Sequence, residues 1–281
     1  MSNLTSLFLM NADTPDETIR EMAEAAALTH THLSCQLLGP APALPMYAYG
    51  VPPYGGMNIP DNWAELVEEA HQKHRARAEE IETFLADANA PGDVQPVLCV
   101  PAEMKRQVAR RARVCDIAYL ADNLRDSPDI FREAANGVLF HSPIGLMLNR
   151  SPMAPAERIF VAWDSSEAAA KAVHVGLPQL KAAKEVTIGC FDPVMTEEMQ
   201  GVDPGTDVAA WLSHHGCHVT LSQFPSGGRE IGKCIQDRAK ETGADLVIMG
   251  SYGHARLIET VFGGTTHTMI EQTDMPILLA H

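Results

Sequence analysis

Basic residues are scarce in this chain: 21 Lys and Arg stand against 36 Asp and Glu among 281 residues, a formal net charge of −15. A nucleic-acid groove or a patch for an anionic membrane needs clustered cations, so the charge balance argues against both partners. No apolar run approaches the ~18 residues of a membrane span. The N-terminus lacks a basic stretch followed by a long apolar one, so no secretory signal is read there. The six cysteines (Cys35, Cys99, Cys115, Cys190, Cys217, Cys234) include no CxxC pair, and Cys99 lies inside the strand-like run Val97 to Val100. They read as reduced, mostly buried thiols, and the expected compartment is the cytoplasm. Catalytic signatures are also missing: there is no GxSxG elbow, no HExxH, and no glycine loop ending in GK[ST]. No residue is assigned a catalytic role.

What is present is a repeated alternation of strand-like and helix-like segments. The length, about twice that of a small α/β domain, points to two domains of roughly 140 residues. In the C-terminal half, Arg158 to Trp163, Glu185 to Phe191, His218 to Phe224, Asp245 to Met249 and Pro276 to Ala280 read as strands. Helical stretches lie between them: Asp164-Ser165-Ser166-Glu167 opens one that runs to Leu180, and others span Asp207 to His215 and Arg229 to Thr242. Ser6 to Met10, Val94 to Val100, Cys115 to Leu120 and His141 to Leu148 repeat the strands in the N-terminal half. The expected fold is therefore α/β, two tandem open parallel five-stranded sheets flanked by helices, Rossmann-like in their winding. The expected domains are residues 1–150 and 151–281, with the seam at Asn149 to Glu157, where Pro152 and Pro155 interrupt any periodicity.

The most informative stretch is Ala244-Asp245-Leu246-Val247-Ile248-Met249-Gly250-Ser251-Tyr252-Gly253, with Gly263-Gly264-Thr265-Thr266 following. An apolar run that stops at a glycine loop, with a second glycine pair and hydroxyls at a helix head, is an arrangement that holds a phosphate. Gly250 and Gly253 allow close approach of backbone N–H groups to an anion, and Gly263-Gly264 repeat this at the helix start. Ser251 and His254 lie within the first loop and Arg256 just beyond it, where a cation would offset phosphate charge; the alternative is that His254 and Arg256 project into solvent.

Gly250, two residues, Gly253, nine residues, Gly263 is the spacing of nucleotide-binding members of the universal stress protein family, which the chain resembles over nearly its whole length. The family places a Ser or Thr where Gly264 stands, and Thr265 or Thr266 offers a hydroxyl one position later. The resemblance implies an adenine-nucleotide-hydrolase-like fold, ATP or a related adenine nucleotide as ligand, with or without magnesium, and a role in the stress response as a sensor or regulatory module. It also implies that Asp164 contacts the nucleoside; read from its position alone, Asp164 is a helix N-cap, and both roles are compatible. The final strands of such tandem proteins pair antiparallel, so Pro143 to Leu148 would meet Pro276 to Ala280 in an internal pseudo-dimer able to dimerise again. Two other functions stay open: a slow nucleotide hydrolase, and a protein-interaction module that binds no nucleotide.

The first half lacks the signature. Leu120 set on Met249 puts Ala121 at Gly250 and Leu124 at Gly253, and Phe8 set on Phe160 puts Ala12 at Asp164, with Asp13 adjacent. Nucleotide binding is thus expected only in the second half. A Pro/Gly/Tyr-rich insertion from Gly39 to Pro60 reads as a surface loop or a lid or partner segment, and Trp63 to Asp87 as a charged amphipathic helix with a solvated face. His214, His215 and His218, with Cys217 beside them, invite a metal reading, but Gly216 breaks the helix between His214 and His218, and no metal site is assigned.

Overall fold

The computed structural model describes residues 4–43, 61–150, 155–193, 203–251 and 264–281. In the first half, β1 (Thr5–Asn11), α1 (Asp16–Thr29), β2 (His32–Pro40), α2 (Trp63–Asp87), β3 (Gly92–Cys99), α3 (Pro101–Ala112), β4 (Ile117–Leu120), α4 (Pro128–His141) and β5 (Gly145–Leu148) follow in order. A 3₁₀ segment, Asp122–Asp126, joins β4 to α4. The second half contains β6 (Arg158–Ala162), α5 (Glu167–Val175), α6 (Leu177–Ala182), β7 (Glu185–Phe191), α7 (Thr206–His214), β8 (Val219–Phe224), α8 (Ile231–Glu241), β9 (Leu246–Gly250), α9 (Gly264–Glu271) and β10 (Ile277–Ala280).

The strands form one sheet of ten, in the order β3-β2-β1-β4-β5-β10-β9-β6-β7-β8. Every neighbouring pair is parallel except β5 and β10, which meet antiparallel with Leu148 opposite Ile277 and Leu146 opposite Leu279. The final strands pair as expected, and this fuses the two anticipated sheets into one. The physical reason is plain: β5 and β10 are buried along their length, and an unpaired edge there would leave backbone N–H and C=O groups unsatisfied.

Strands covered on both faces must be apolar throughout rather than alternating. Leu7 to Met10 in β1 and Leu246 to Ile248 in β9 are each no more than 1% exposed. Phe160 anchors the second half: its ring lies against Gly189, where an added Cβ would come within 2.3 Å, and it packs with Phe191 and Phe224.

Two local expectations are corrected. The helix read from Asp164 to Leu180 is two helices, broken at Gly176, because Pro178 has no N–H to give and its ring crowds the preceding turn. The insertion begins later than Gly39, since β2 pairs with β3 through Pro40 opposite Cys99. Residues 44–60 of that insertion, and 151–154 of the seam, lie outside the described residues. The amphipathic α2 buries His74, Ala78, Ile81 and Leu85, a 4-3-4 spacing that puts all four on one stripe; His74 Nε2 donates to the carbonyl of Leu37 at 2.8 Å.

Candidate binding site

Within the second half the chain winds outward from β6 through β7 to β8, then crosses back to β9 and on to β10. The strand order therefore reverses between β6 and β9, and open α/β sheets bind ligands outside the carboxyl ends of the strands at such a point. Ala162 is paired with Met249, so Asp164 and Gly250 emerge from neighbouring strands at the same edge.

Asp164 is exposed there. Its Oδ1 accepts the N–H of Ser166 at 3.0 Å, across Ser165 in the left-handed region at φ 61°. The helix cap itself is Ser166, whose Oγ accepts the N–H of Ala169 at 3.1 Å, so the N-cap expected at Asp164 moves two residues on. The carboxylate keeps acceptor capacity facing solvent. Its charge, with that of Asp207 in the first turn of α7, adds to the burial that pushes the Cys190 thiol up to about 11. Asp164, the end of β7 and the head of α7 thus share one neighbourhood.

Trp163 precedes Asp164 and carries a signal that strand-like composition concealed. It is 9% exposed, and its buried indole Nε1 has no hydrogen-bond partner among the described residues. An unmade bond of this kind costs about 1–3 kcal/mol.

Gly250 is also a glycine for a packing reason. A Cβ there would stand 2.4 Å from the N of Ala169 and 2.6 Å from the C of Ala168, so the first turn of α5 sits directly on it. Close helix-to-strand packing by itself demands the missing side chain.

Ser251 is a correction. It is fully buried, its N–H and Oγ reach the carbonyl of Ala280 at 2.8 and 3.1 Å, and its own carbonyl accepts from His281 Nδ1 at 2.7 Å. Its hydroxyl holds β10 to β9 instead of facing a ligand.

Gly253, His254, Arg256 and Gly263 lie outside the described residues. Gly264 opens α9 at an exposed position, and a Cβ added there would meet nothing within 4 Å. Packing does not require glycine at 264. Thr266 is 4% exposed and turned into the fold, a second correction, which leaves half-buried Thr265 as the hydroxyl at the helix head.

The matching edge of the first half is built from different chemistry. Leu9 pairs with Leu120 as Ala162 pairs with Met249, so Leu120 on Met249 brings Asn11, not Ala12, onto Asp164. The hydrogen bonds agree: Asn11 Oδ1 accepts the N–H of Asp13 at 3.1 Å, as Asp164 accepts that of Ser166. Setting Phe8 on Phe160 was one residue out of register. Asn11 also accepts from Asn123 Nδ2 at 2.8 Å, the Thr14 hydroxyl donates to Asn123 Oδ1 at 3.0 Å, and the Asn11 N–H donates to Thr14 Oγ1 at 3.1 Å. Asn11 is 5% and Thr14 1% exposed, and Ala121 and Leu124 are buried beside them.

The histidines of the metal reading separate. His214 and His218 are exposed, whereas His215 packs edge-on against Trp211 at 4.4 Å. Among the described residues no three His, Cys, Asp or Glu gather to hold a metal ion. All six thiols are free, five of them buried, and burial raises Cys115 to about 11 and Cys35 higher still. No helix of the described residues is long and apolar enough to cross a membrane.

The sequence profile of the universal stress protein family matches residues 226–281, the stretch that holds α8, β9, the glycine loop, α9 and β10. The likeness in sequence lies in those residues. Over its whole length the chain has the fold of a universal stress protein from Archaeoglobus fulgidus DSM 4304, with a TM-score of 0.66 and 13% identity over 98% of this chain and 97% of that one. A protein of unknown function from Pseudomonas aeruginosa PAO1 gives a TM-score of 0.50 and 14% identity over 99% of this chain and 92% of that one. No curated protein matches the sequence. The likeness in fold thus extends through both halves.

Proposed function

We propose that the second half binds an adenine nucleotide, ATP or a close relative, at the carboxyl edge between β6 and β9, and that the protein acts as a cytoplasmic sensor or regulatory module in a stress response. The observation that carries this reading is the asymmetry of the two switch points: the first half fills its crevice with Asn11, Thr14 and Asn123, while the second leaves Asp164 exposed beside a glycine loop. Asp164 supplies acceptors for a ribose or base, and the open head of α9 supplies N–H groups and the positive end of a helix dipole for phosphate. Thr265 offers the hydroxyl that Gly264 lacks. No side chain in these positions is an evident general base, so the reading is of binding rather than rapid turnover.

Isothermal titration of ATP with magnesium into the full chain, beside Gly253→Asp, tests it. One site per chain, lost in the variant without loss of the fold, supports the reading. Equal affinity in the variant, or no binding of any adenine nucleotide to the wild type, overturns it and moves the protein to the interaction-module class.

A further inference from the structure

The helix that carries the head of the proposed site is held at its other end by the first half of the chain. α9 has eight residues and is about 12 Å long, too short to be stable alone. Its last carbonyls have no partners within the helix. Arg125, in the 3₁₀ segment after β4, donates through one guanidinium nitrogen to the carbonyl of Ile270 at 2.5 Å and through the other to Asn149 Oδ1 at 2.6 Å. Asn149 Nδ2 in turn donates to the carbonyls of Gln272 at 2.8 Å and Met275 at 3.0 Å. Two first-half side chains therefore satisfy the carbonyls that close α9 and lead into β10.

Arg125 is unusual in what it lacks. Among the described residues no carboxylate forms an ion pair with it; its hydrogen-bond partners are neutral oxygens, and it lies 5.1 Å over the ring of Phe131. Burial holds its pKa below the usual guanidinium value. A desolvated cation with neutral partners is favoured by the negative end of the α9 dipole. At the opposite edge His281 Nδ1 donates to the carbonyl of Ser251, and its ring meets Phe140 of α4 edge-on at 4.6 Å. Ser251 and Ile270 are thus both tied to the first half, one through His281 and the other through Arg125.

We propose that Arg125 is a positioning residue for the nucleotide site of the second half, setting where the head of α9 stands relative to the sheet, and that occupancy of that site is felt in the first half through the same contact. The inference rests on the nucleotide reading above. Isothermal titration of ATP with magnesium into wild type, Arg125→Met and Arg125→Lys, joined to hydrogen exchange with and without ATP, tests it. Arg125→Met keeps an apolar stem and removes the donors; affinity should fall about five- to tenfold, with Arg125→Lys between. In the wild type ATP should slow exchange in α9 and also across residues 122–131. In Arg125→Met the slowing should be confined to the second half, a change that a purely stabilising role would not produce. Wild-type binding with unchanged affinity in Arg125→Met, or with no ATP effect at residues 122–131, overturns the inference and leaves the nucleotide reading standing. A wild type that binds no adenine nucleotide overturns both. Should Arg125→Met fail to fold by circular dichroism, Arg125→Lys and the wild-type exchange pattern decide.

Discussion

The two carboxyl edges of this molecule began from one plan and ended with opposite surfaces. Strand register puts Asn11 where Asp164 stands and Ala121 where Gly250 stands, and both side-chain oxygens accept the backbone N–H two residues on. Beyond that shared turn they diverge. In the first half an amide can donate and accept, so Asn123 and Thr14 close the crevice into a buried network with Asn11. In the second half a carboxylate only accepts, and Asp164 stays in solvent. The first-half crevice is thus filled by side-chain partners of its own, and the structure around it is kept.

The sharpest way to break this comparison is at Gly250. Gly250→Val would drive a side chain into the backbone of Ala168 and Ala169, and overpacking of this kind costs about 1–3 kcal/mol or more. The urea midpoint should fall accordingly; an unchanged midpoint would show that α5 is not seated on the glycine as described. The first half already carries a Cβ at Ala121.

Thr14→Val probes the seal. The substitution keeps shape and leaves the Asn11 N–H and Asn123 Oδ1 unpaired, at a cost of about 1–3 kcal/mol. Removing the helix cap at the second-half edge with Ser166→Ala should cost about 1 kcal/mol, because that site is nearer solvent. If chemical denaturation ranks them the other way, the first-half network is not a structural plug.

Asp164→Asn tests whether the open edge uses its charge. Nucleotide affinity should weaken about tenfold or more, since hydrogen bonds to a charged group are worth about 1.5–3 kcal/mol; the melting temperature of the free protein should barely move. Equal affinities would remove Asp164 from the site.

The smallest effect is one in which the halves should agree. Cys115 and Cys190 are both held near 11 by burial, against about 8.5 for a free thiol. Above pH 8.5 the unfolded chain releases thiol protons that the folded chain retains, so stability is full below that pH and declines as pH rises toward 11. Urea midpoints at pH 8 and pH 10 should show a modest loss, reduced equally by Cys115→Ser and Cys190→Ser backgrounds. A dependence traced to one half alone would contradict the similar burial of the two thiols.

Much of this was legible in the residues. The alternation of strand-like and helix-like segments marked a parallel α/β sheet, and the repeat of that alternation marked a tandem. The break at Gly176 was also readable, because Pro178 cannot donate. The role of Ser251 was not, since a hydroxyl beside a glycine serves a ligand or a neighbouring strand equally well until the neighbour is known. Nor was the unpaired indole of Trp163, because partners are a property of the packed state.

The sequence by itself determined the α/β class and the two copies, because strand and helix patterning is local and acts before anything is packed. Only the tertiary structure decided the one-residue register that sets Asn11 on Asp164, the fusion of two sheets through β5 and β10, and the reach of Arg125 to the end of α9. Each of these depends on groups more than a hundred positions apart in the chain, whose hydrogen bonds exist only once the sheet has brought them together.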